Sequence, residues 1–273
     1  MKYIKHLIVL LSIFSFSSCE DVVQVDLETD SPRLVIEASI NWYRNTIGNR
    51  QIIKLTTTTN YYDHLTPTVS GATVYITNSS NVNFIFTESQ QSGEYVCTNF
   101  KPVINETYTL TVQNAGQTYH ATETLKSITP ITEIIQNNEG GFTGNKIEIK
   151  SYYTDPIDET NYYLYKYNYS NQVTQNFYTD EDTFFQGNSF FSISQSDDLK
   201  VGDEIIVTHY GISKQYYNYM NVLVSIAGGN GGGPFQSPPA TVRGNITNTT
   251  NKENYPLGYF SLSEVDTKTY KIQ

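Results

Sequence analysis

The chain has 273 residues, of which 16% are charged, 14% are aromatic and 23 are tyrosine, and its formal net charge is −10. This length suits one large or two ordinary domains, and the aromatic content argues against disorder. The acidic balance argues against nucleic-acid binding, because phosphate contacts need clustered Lys and Arg. Composition also excludes a coiled coil, a collagen, a disulfide scaffold and a polytopic membrane protein. The abundance of Tyr and Thr favours a mainly β protein.

Residues 1–18 have the features of a bacterial lipoprotein signal peptide. A short basic region precedes an apolar run over residues 7–16, which is too short to span a membrane. Two small residues then stand directly before Cys19, as cleavage before a lipid-modified cysteine requires. We expect a lipid on the Cys19 thiol and a tether over residues 19–32. The alternative is an ordinary secretory signal that happens to contain a cysteine.

The first half alternates between short strand-like runs and turns. The predicted strands cover residues 34–40, 51–57, 73–77, 82–86, 93–97, 107–112 and 117–122. Seven short strands within one ordinary domain length are typical of an immunoglobulin-like β-sandwich. We therefore predict such a sandwich over residues 33–128, ending near Thr129-Pro130.

The second half is richer in aromatic residues. In one segment, the spacing of its apolar side chains changes from that of a strand to that of a helix. The predicted strands cover residues 147–153, 162–169, 204–210, 242–247, 257–262 and 267–272. Between them, Ser213 is a candidate N-cap for a helix over residues 214–227, in which apolar side chains recur at three- and four-residue spacing. We predict that residues 129–273 form a second β-rich domain with this one short helix.

Residues with catalytic or metal-binding chemistry are scattered. His64, His120 and His209 lack the spacing of a metal site, and the acidic segments at 180–182, 197–198 and 203–204 are typical of solvated turns. The same segments are also compatible with the paired carboxylates of a glycosidase. We predict no metal, no cofactor and no catalytic residue. Cys97 lies in a predicted strand, and we interpret it as a buried structural cysteine.

Two aromatic features are candidate partner-binding surfaces. Strand alternation places Tyr163, Tyr165, Tyr167 and Tyr169 on one face of residues 162–169, where they either pack, meet a partner or stack on sugars.

The second feature is Phe235, which follows a glycine-rich run over residues 228–233. It either anchors a loop in a partner pocket or folds back onto the protein's own core.

Several segments together resemble one bacterial family. They are Cys19-Glu20-Asp21, residues 32–37, residues 71–74, Pro234-Phe235, Pro238-Pro239-Ala240, residues 244–246 and residues 257–260. In these segments the chain resembles the Bacteroidota lipoproteins labelled domain of unknown function 4249, over nearly the whole mature chain. The resemblance implies a lipoprotein encoded beside TonB-dependent outer-membrane transporters, and it implies no catalytic residue. The acidic pair after Cys19 also resembles a surface-export signal.

We therefore expect an outer-membrane lipoprotein, anchored through Cys19 and exposed at the cell surface, with a non-catalytic binding or accessory role beside such a transporter. Phe235, Tyr163, Tyr165 and Tyr167 are the predicted partner-binding residues. A glycan hydrolase and a structural or adhesion protein are the alternative functions. A pair of convergent carboxylates in a tyrosine-lined cleft would favour the hydrolase.

Overall fold

The computed structural model describes residues 31–60, 63, 65–173, 175–227 and 242–273. The first-half strands are β1 Leu34–Tyr43, β2 Gln51–Thr57, β3 Thr73–Asn78, β4 Asn83–Glu88, β5 Glu94–Cys97, β6 Thr107–Asn114 and β7 Gln117–Thr124. They are followed by β8 Glu133–Gly140, β9 Lys146–Thr154, β10 Tyr162–Tyr169, β11 Gln175–Glu181, β12 Ser189–Ser196, β13 Glu204–Ile212, helix α1 Lys214–Ala227, β14 Thr247–Asn248 and β15 Leu257–Lys271. The protein is mainly β, as predicted. The predicted signal peptide, Cys19 and Phe235 lie outside the described residues.

All seven predicted strands of the first half are present, and they form a sandwich. Strands β1, β2 and β5 build one sheet, and β3, β6 and β7 build the other. Strand β4 joins the two, because it pairs with β3 along most of its length and with β5 at Thr87 and Glu88. Alternate side chains from both sheets fill the first core, which includes Ile36, Leu55 and Leu110.

The second half has three layers. The extended sheet continues through β15, β13, β10 and β11, while β8, β9 and β12 form a separate three-stranded sheet. The second core lies between these sheets and contains Tyr153, Tyr165 and Val207. On the other face of the extended sheet, helix α1 packs against Leu164 and Val265 through Met220.

Three of these strands, β8, β11 and β12, were not predicted. Their sequences are rich in Ser, Asn, Gln and Asp, which are typical of turns, and tertiary pairing overrides that preference. In the predicted strand over residues 242–247, only Thr247 is paired, as the first residue of β14.

The two predicted strands within residues 257–272 form one continuous strand, β15. The centre of this strand is polar, and the side chains there have partners. Glu264 accepts a hydrogen bond from the backbone N–H of Ile128 at 2.9 Å, and Asp266 accepts one from that of Ile131 at 2.7 Å. These bonds hold the connection between β7 and β8 against β15.

Strand β15 is shared by both halves. It pairs in parallel with β1 and antiparallel with β13, and its Phe260 and Leu262 enter the first core. The first core therefore includes side chains from beyond the predicted boundary at residue 128, and residues Pro32–Gln273 form one compact unit. Whether residues 33–128 fold alone stays a prediction, and that segment would lack β15.

Glycine at position 258 allows β15 to approach β1. Its φ of +94° is one that other residues rarely adopt, and a Cβ there would lie 2.1 Å from the carbonyl oxygen of Ile36. Gly116, in the turn between β6 and β7, also has a positive φ of +74°, but no atom lies within 4 Å of its would-be Cβ.

These two glycines make a matched pair of variants. We expect Gly116→Ala to lower the free energy of unfolding by about 1 kcal/mol through backbone strain alone. Gly258→Ala should lower it clearly more, because it adds a clash between β15 and β1. Urea unfolding of both variants measures the difference. Equal losses would mean that close approach of these strands is not a constraint on the fold.

Candidate functional site

The predicted tyrosine ladder lies on one face of β10, but that face is buried. Tyr163, Tyr165 and Tyr167 are 1%, 2% and 0% exposed, because the three-stranded sheet covers them. The expectation that they offer a surface to a partner is therefore wrong in this structure. Their hydroxyls bond internally: that of Tyr167 donates to Ser192 at 2.6 Å, and that of Tyr163 to Asp155.

Beneath the ladder, Ser192 and His209 are spaced like a nucleophile and its base. The serine Oγ lies 2.7 Å from the imidazole Nε2. Both side chains are buried, at 2% and 0% exposure, and burial lowers the pKa of His209 to about 3. The imidazole is therefore neutral at ordinary pH, and the pair belongs to a polar network inside the second core.

His64 lies outside the described residues, and the other described residues singled out from the sequence lie apart from one another. Cys97 is buried in β5, as predicted, and burial raises its thiol pKa. The ring of His120 lies 3.1 Å from the Thr111 hydroxyl. Asp182 accepts a hydrogen bond from the backbone of Asn161, and Asp203 accepts one from that of Lys200. Within the described ranges, no three His, Cys, Asp or Glu side chains form a group that could hold a metal ion.

The opposite face of β10 borders an open cleft of about 240 Å³, which we call the α1 cleft. Its lining residues come from β1, β10, β11, β13, β15 and α1. They are Ser39, Asn41, Leu164, Lys166, Phe177, Tyr210, Tyr216, Met220, Ser261 and Ser263. The cleft therefore lies where the strands of both halves meet under the helix.

Pairing between β1 and β15 explains why a cavity exists here. Ser39 lies beside Ser261 and Asn41 beside Ser263 in the parallel register, so four small polar side chains share one patch of the sheet. Large side chains nearby, such as Met220 of the helix and Tyr210 of the sheet, pack between the helix and the sheet. The small side chains leave the space between them unfilled.

Polar groups with spare bonding capacity converge in the α1 cleft. Among the described residues, no acceptor or carboxylate lies within bonding distance of the Lys166 ammonium, and the Asn41 amide and the Ser263 hydroxyl likewise have no partner. Burial lowers the pKa of Lys166. Its Nζ lies 5.9 Å from the ring centroid of Tyr210. The cleft thus combines a partly desolvated cation, hydrogen-bonding groups and aromatic walls, which suits a small anionic ligand.

Helix α1, which roofs the cleft, begins at the predicted cap. The hydroxyl of Ser213 accepts a hydrogen bond from the backbone N–H of Tyr216 at 3.1 Å, and the helix ends at Ala227 as expected. Ser213 also donates to Glu123 of β7 at 2.9 Å. Glu123 is buried, and burial raises its pKa. This contact ties the start of the helix to the first half.

Strand alternation also places Lys166 on the face of β10 opposite the ladder, but the sequence did not identify it as a site residue. The sequence feature that could have identified this residue is its position as a lone lysine inside the aromatic run Tyr162–Tyr169. The polar patch that faces it had no local signal, because Ser39 and Ser261 are far apart in sequence and meet only through β1 and β15.

Sandwich-like sheets, with one α-helix among the described residues, define the class of fold, and sequence similarity gives the family. The chain matches the family described as domain of unknown function DUF4249 over residues 20–269, so it belongs to that family. No curated protein is significantly similar to it in sequence. Among the described residues, no helix has the length and apolar character needed to cross a membrane.

Two solved structures are similar in part. A two-domain fibronectin type-III segment from chicken tenascin is 11% identical, with a TM-score of 0.22, and the match covers 67% of this chain and 91% of that one. A cytokine receptor complex is 7% identical, with a TM-score of 0.24, and the match covers 66% of this chain and 83% of that one. At these TM-scores neither similarity bears on function.

The buried imidazole of His209 makes a testable contribution to stability. Its pKa is about 3 in the folded chain, against an ordinary value of 6.5. Between these values the unfolded chain holds a proton that the folded chain lacks, so the free energy of unfolding falls as the pH falls below 6.5. We expect His209→Gln to flatten this part of the pH curve, measured by urea unfolding at a series of pH values. The control His120→Gln should keep the steeper slope; parallel curves for His209→Gln and wild type would contradict the account.

Proposed function

We propose that this protein is a lipid-anchored, non-catalytic binding protein of the outer membrane whose ligand site is the α1 cleft. In this proposal it acts as an accessory to a TonB-dependent transporter and holds a small anionic ligand at the cell surface. The single observation that carries the ligand class is Lys166, a partly desolvated cation that lines the cleft and has no anionic partner in the described part of the chain.

Removing an ammonium group from water, even in part, costs free energy unless an anion or several hydrogen-bond acceptors replace the lost water contacts. An entering carboxylate would supply that compensation. The Asn41 amide and the Ser263 hydroxyl, which also line the cleft, can then bond to its remaining oxygens or to neighbouring hydroxyls. The cavity of about 240 Å³ lies just below the usual range for drug-sized ligands, so it suits a molecule the size of a small hydroxy acid or a sugar acid.

The anchor and the transporter partnership are supported by sequence. The small residues before Cys19 and the apolar run that precedes them favour lipidation. The family resemblance supports an accessory role beside a transporter. A glycan hydrolase needs a pair of carboxylates, whereas the charged side chain in the described lining of the cleft is a lysine. We therefore favour binding over glycan hydrolysis.

Calorimetric titration with glucuronate, lactate and benzoate tests the ligand class. We expect at least one of these carboxylates to bind the wild-type protein. Lys166→Met keeps the length of the side chain but removes its charge, so it should weaken that binding about tenfold or more. Lys54→Met, at the exposed position of β2, is the control and should bind normally. Unchanged affinity in Lys166→Met, or no binding of any carboxylate by the wild type, would exclude this ligand class.

Purification from native membranes tests the anchor and the partner. Mass spectrometry of the mature protein should show acylated Cys19 as the first residue, because the signal sequence directs cleavage there. A TonB-dependent transporter should purify with the protein in mild detergent. An unmodified N-terminus at or beyond Glu20 would rule out the anchor. The absence of a transporter from a sample that does contain acylated protein would rule out only the partnership.

A further inference from the structure

A second concavity, away from the α1 cleft, has basic and aromatic residues in its lining. It has a volume of about 380 Å³ and lies along the segment that leads from residue 243 to β15. Arg243 and Lys252 line it, together with the half-buried ring of Tyr255. Arg33 approaches the same ring from the start of the described chain. We call these four residues the Tyr255 platform.

The two arginines of the platform are held against one aromatic ring. The Cζ atom of Arg243 lies 3.9 Å from the ring centroid of Tyr255, and that of Arg33 lies 4.3 Å from it. Such cation–π contacts stabilise a guanidinium while leaving its N–H donors available at the ring edge. The ring therefore fixes two positive charges close together.

The loop that carries Lys252 is also fixed. Asn248 is buried, and its side-chain oxygen accepts hydrogen bonds from the backbone N–H groups of Thr250 and Asn251 at 3.0 and 2.9 Å. Its amide nitrogen donates to the carbonyl oxygen of Asn254 at 2.7 Å. The turn is thus organised before any ligand arrives, which lowers the entropic cost of binding.

The charge of this surface is opposite to that of the whole protein. Arg33, Arg243 and Lys252 contribute three positive charges, and Glu253 is the only acidic residue in segment 243–256, while the chain as a whole carries −10. Within the described ranges, neither Arg243 nor Lys252 has a carboxylate within ion-pairing distance. Arg243 and Lys252 are both exposed, and two neighbouring cations of this kind repel each other. A bound anion would remove that repulsion.

Phosphate is the anion that such a surface suits best. Guanidinium groups bind phosphate oxygens through pairs of parallel hydrogen bonds, and an ammonium adds a further charge. The floor of the concavity includes Ile246 and Pro256, which are buried and apolar, so the surface also accepts the carbon part of a phosphate ester. These features fit the headgroup of a phospholipid.

The position of the platform in the chain points to a membrane as the source of that phosphate. The predicted tether ends at residue 32, directly before Arg33. The fourteen Cα–Cα steps from Cys19 to Arg33 span at most about 50 Å even when fully extended. A lipid on Cys19 would keep the platform within that distance of the bilayer, where a high effective concentration makes weak contacts sufficient.

We propose that the Tyr255 platform binds the phosphate of anionic lipid headgroups in the membrane that holds the anchor, and so sets which face of the protein is turned to that membrane. The orienting role rests on the proposed anchor, but the headgroup contact does not. Each Lys or Arg near an anionic surface contributes about fivefold to binding at low ionic strength. The platform therefore supplements the anchor and does not replace it.

Vesicle flotation with the mature chain, residues 19–273 with Cys19→Ser, tests the headgroup contact separately from the anchor, because this chain has neither a lipid nor the apolar signal sequence. At low salt, this chain should float with phosphatidylcholine vesicles that contain phosphatidylglycerol and not with phosphatidylcholine alone. Arg243→Gln and Lys252→Gln should each reduce binding about fivefold. Lys101→Gln removes an exposed charge elsewhere and should leave binding unchanged.

Three results would overturn the proposal: equal binding to both kinds of vesicle, no binding to either, or an equal reduction by all three variants. Calorimetric titration with inorganic phosphate distinguishes the source of the anion. If phosphate binds, and Arg243→Gln abolishes that binding while the vesicles are not bound, the platform is a site for soluble phosphate and the membrane contact is wrong. Failure to find acylated Cys19 in native membranes would remove the orienting role and leave the vesicle result unaffected.

Discussion

The arrangement of this protein depends on the pairing of β15 with β1 on one side and with β13 on the other. Because β15 is the last strand in sequence, the chain must return to its own first strand to complete the first sheet. Gly258 permits the close approach, and Phe260 fills the first core. Farther along the same strand, Glu264 accepts a hydrogen bond from the connection between the halves. One strand therefore closes one core and fixes the position of the other.

The α1 cleft follows from the two faces of that strand. Side chains such as Phe260 and Leu262 point into the first core, while Ser261 and Ser263 lie on the face beneath helix α1. Serine side chains are small, so space remains beneath the helix, and β10 brings Lys166 to the edge of that space. The same geometry that joins the halves thus produces the concavity where a lysine lacks an anionic partner in the described chain. The Tyr255 platform lies in the segment that leads into β15, so both proposed sites depend on how the chain reaches this strand.

The sequence predicts the parts of this fold that have local signals. The first-half strands have clean alternation, and α1 has a cap at Ser213 with apolar side chains at helical spacing. The shared face of the tyrosine ladder also follows from strand period, but its burial does not, because the covering strand β12 is polar and was not predicted. The α1 cleft has no local signal at all: Ser39 and Ser261 become neighbours only through a parallel pairing of the first and last strands. Long-range pairing of this kind is not visible in periodicity or composition.

The central claim is that β15 makes the two halves one cooperative unit, and two side chains report on them separately. Trp42, the single tryptophan, packs against the first core, and His209 lies buried between the sheets of the second half. Urea unfolding can be followed by Trp42 fluorescence and by the imidazole proton resonances of His209 in the same samples. The structure predicts one transition with the same midpoint for both probes. Two separate midpoints, with one core unfolding while the other stays intact, would contradict the claim that β15 couples them.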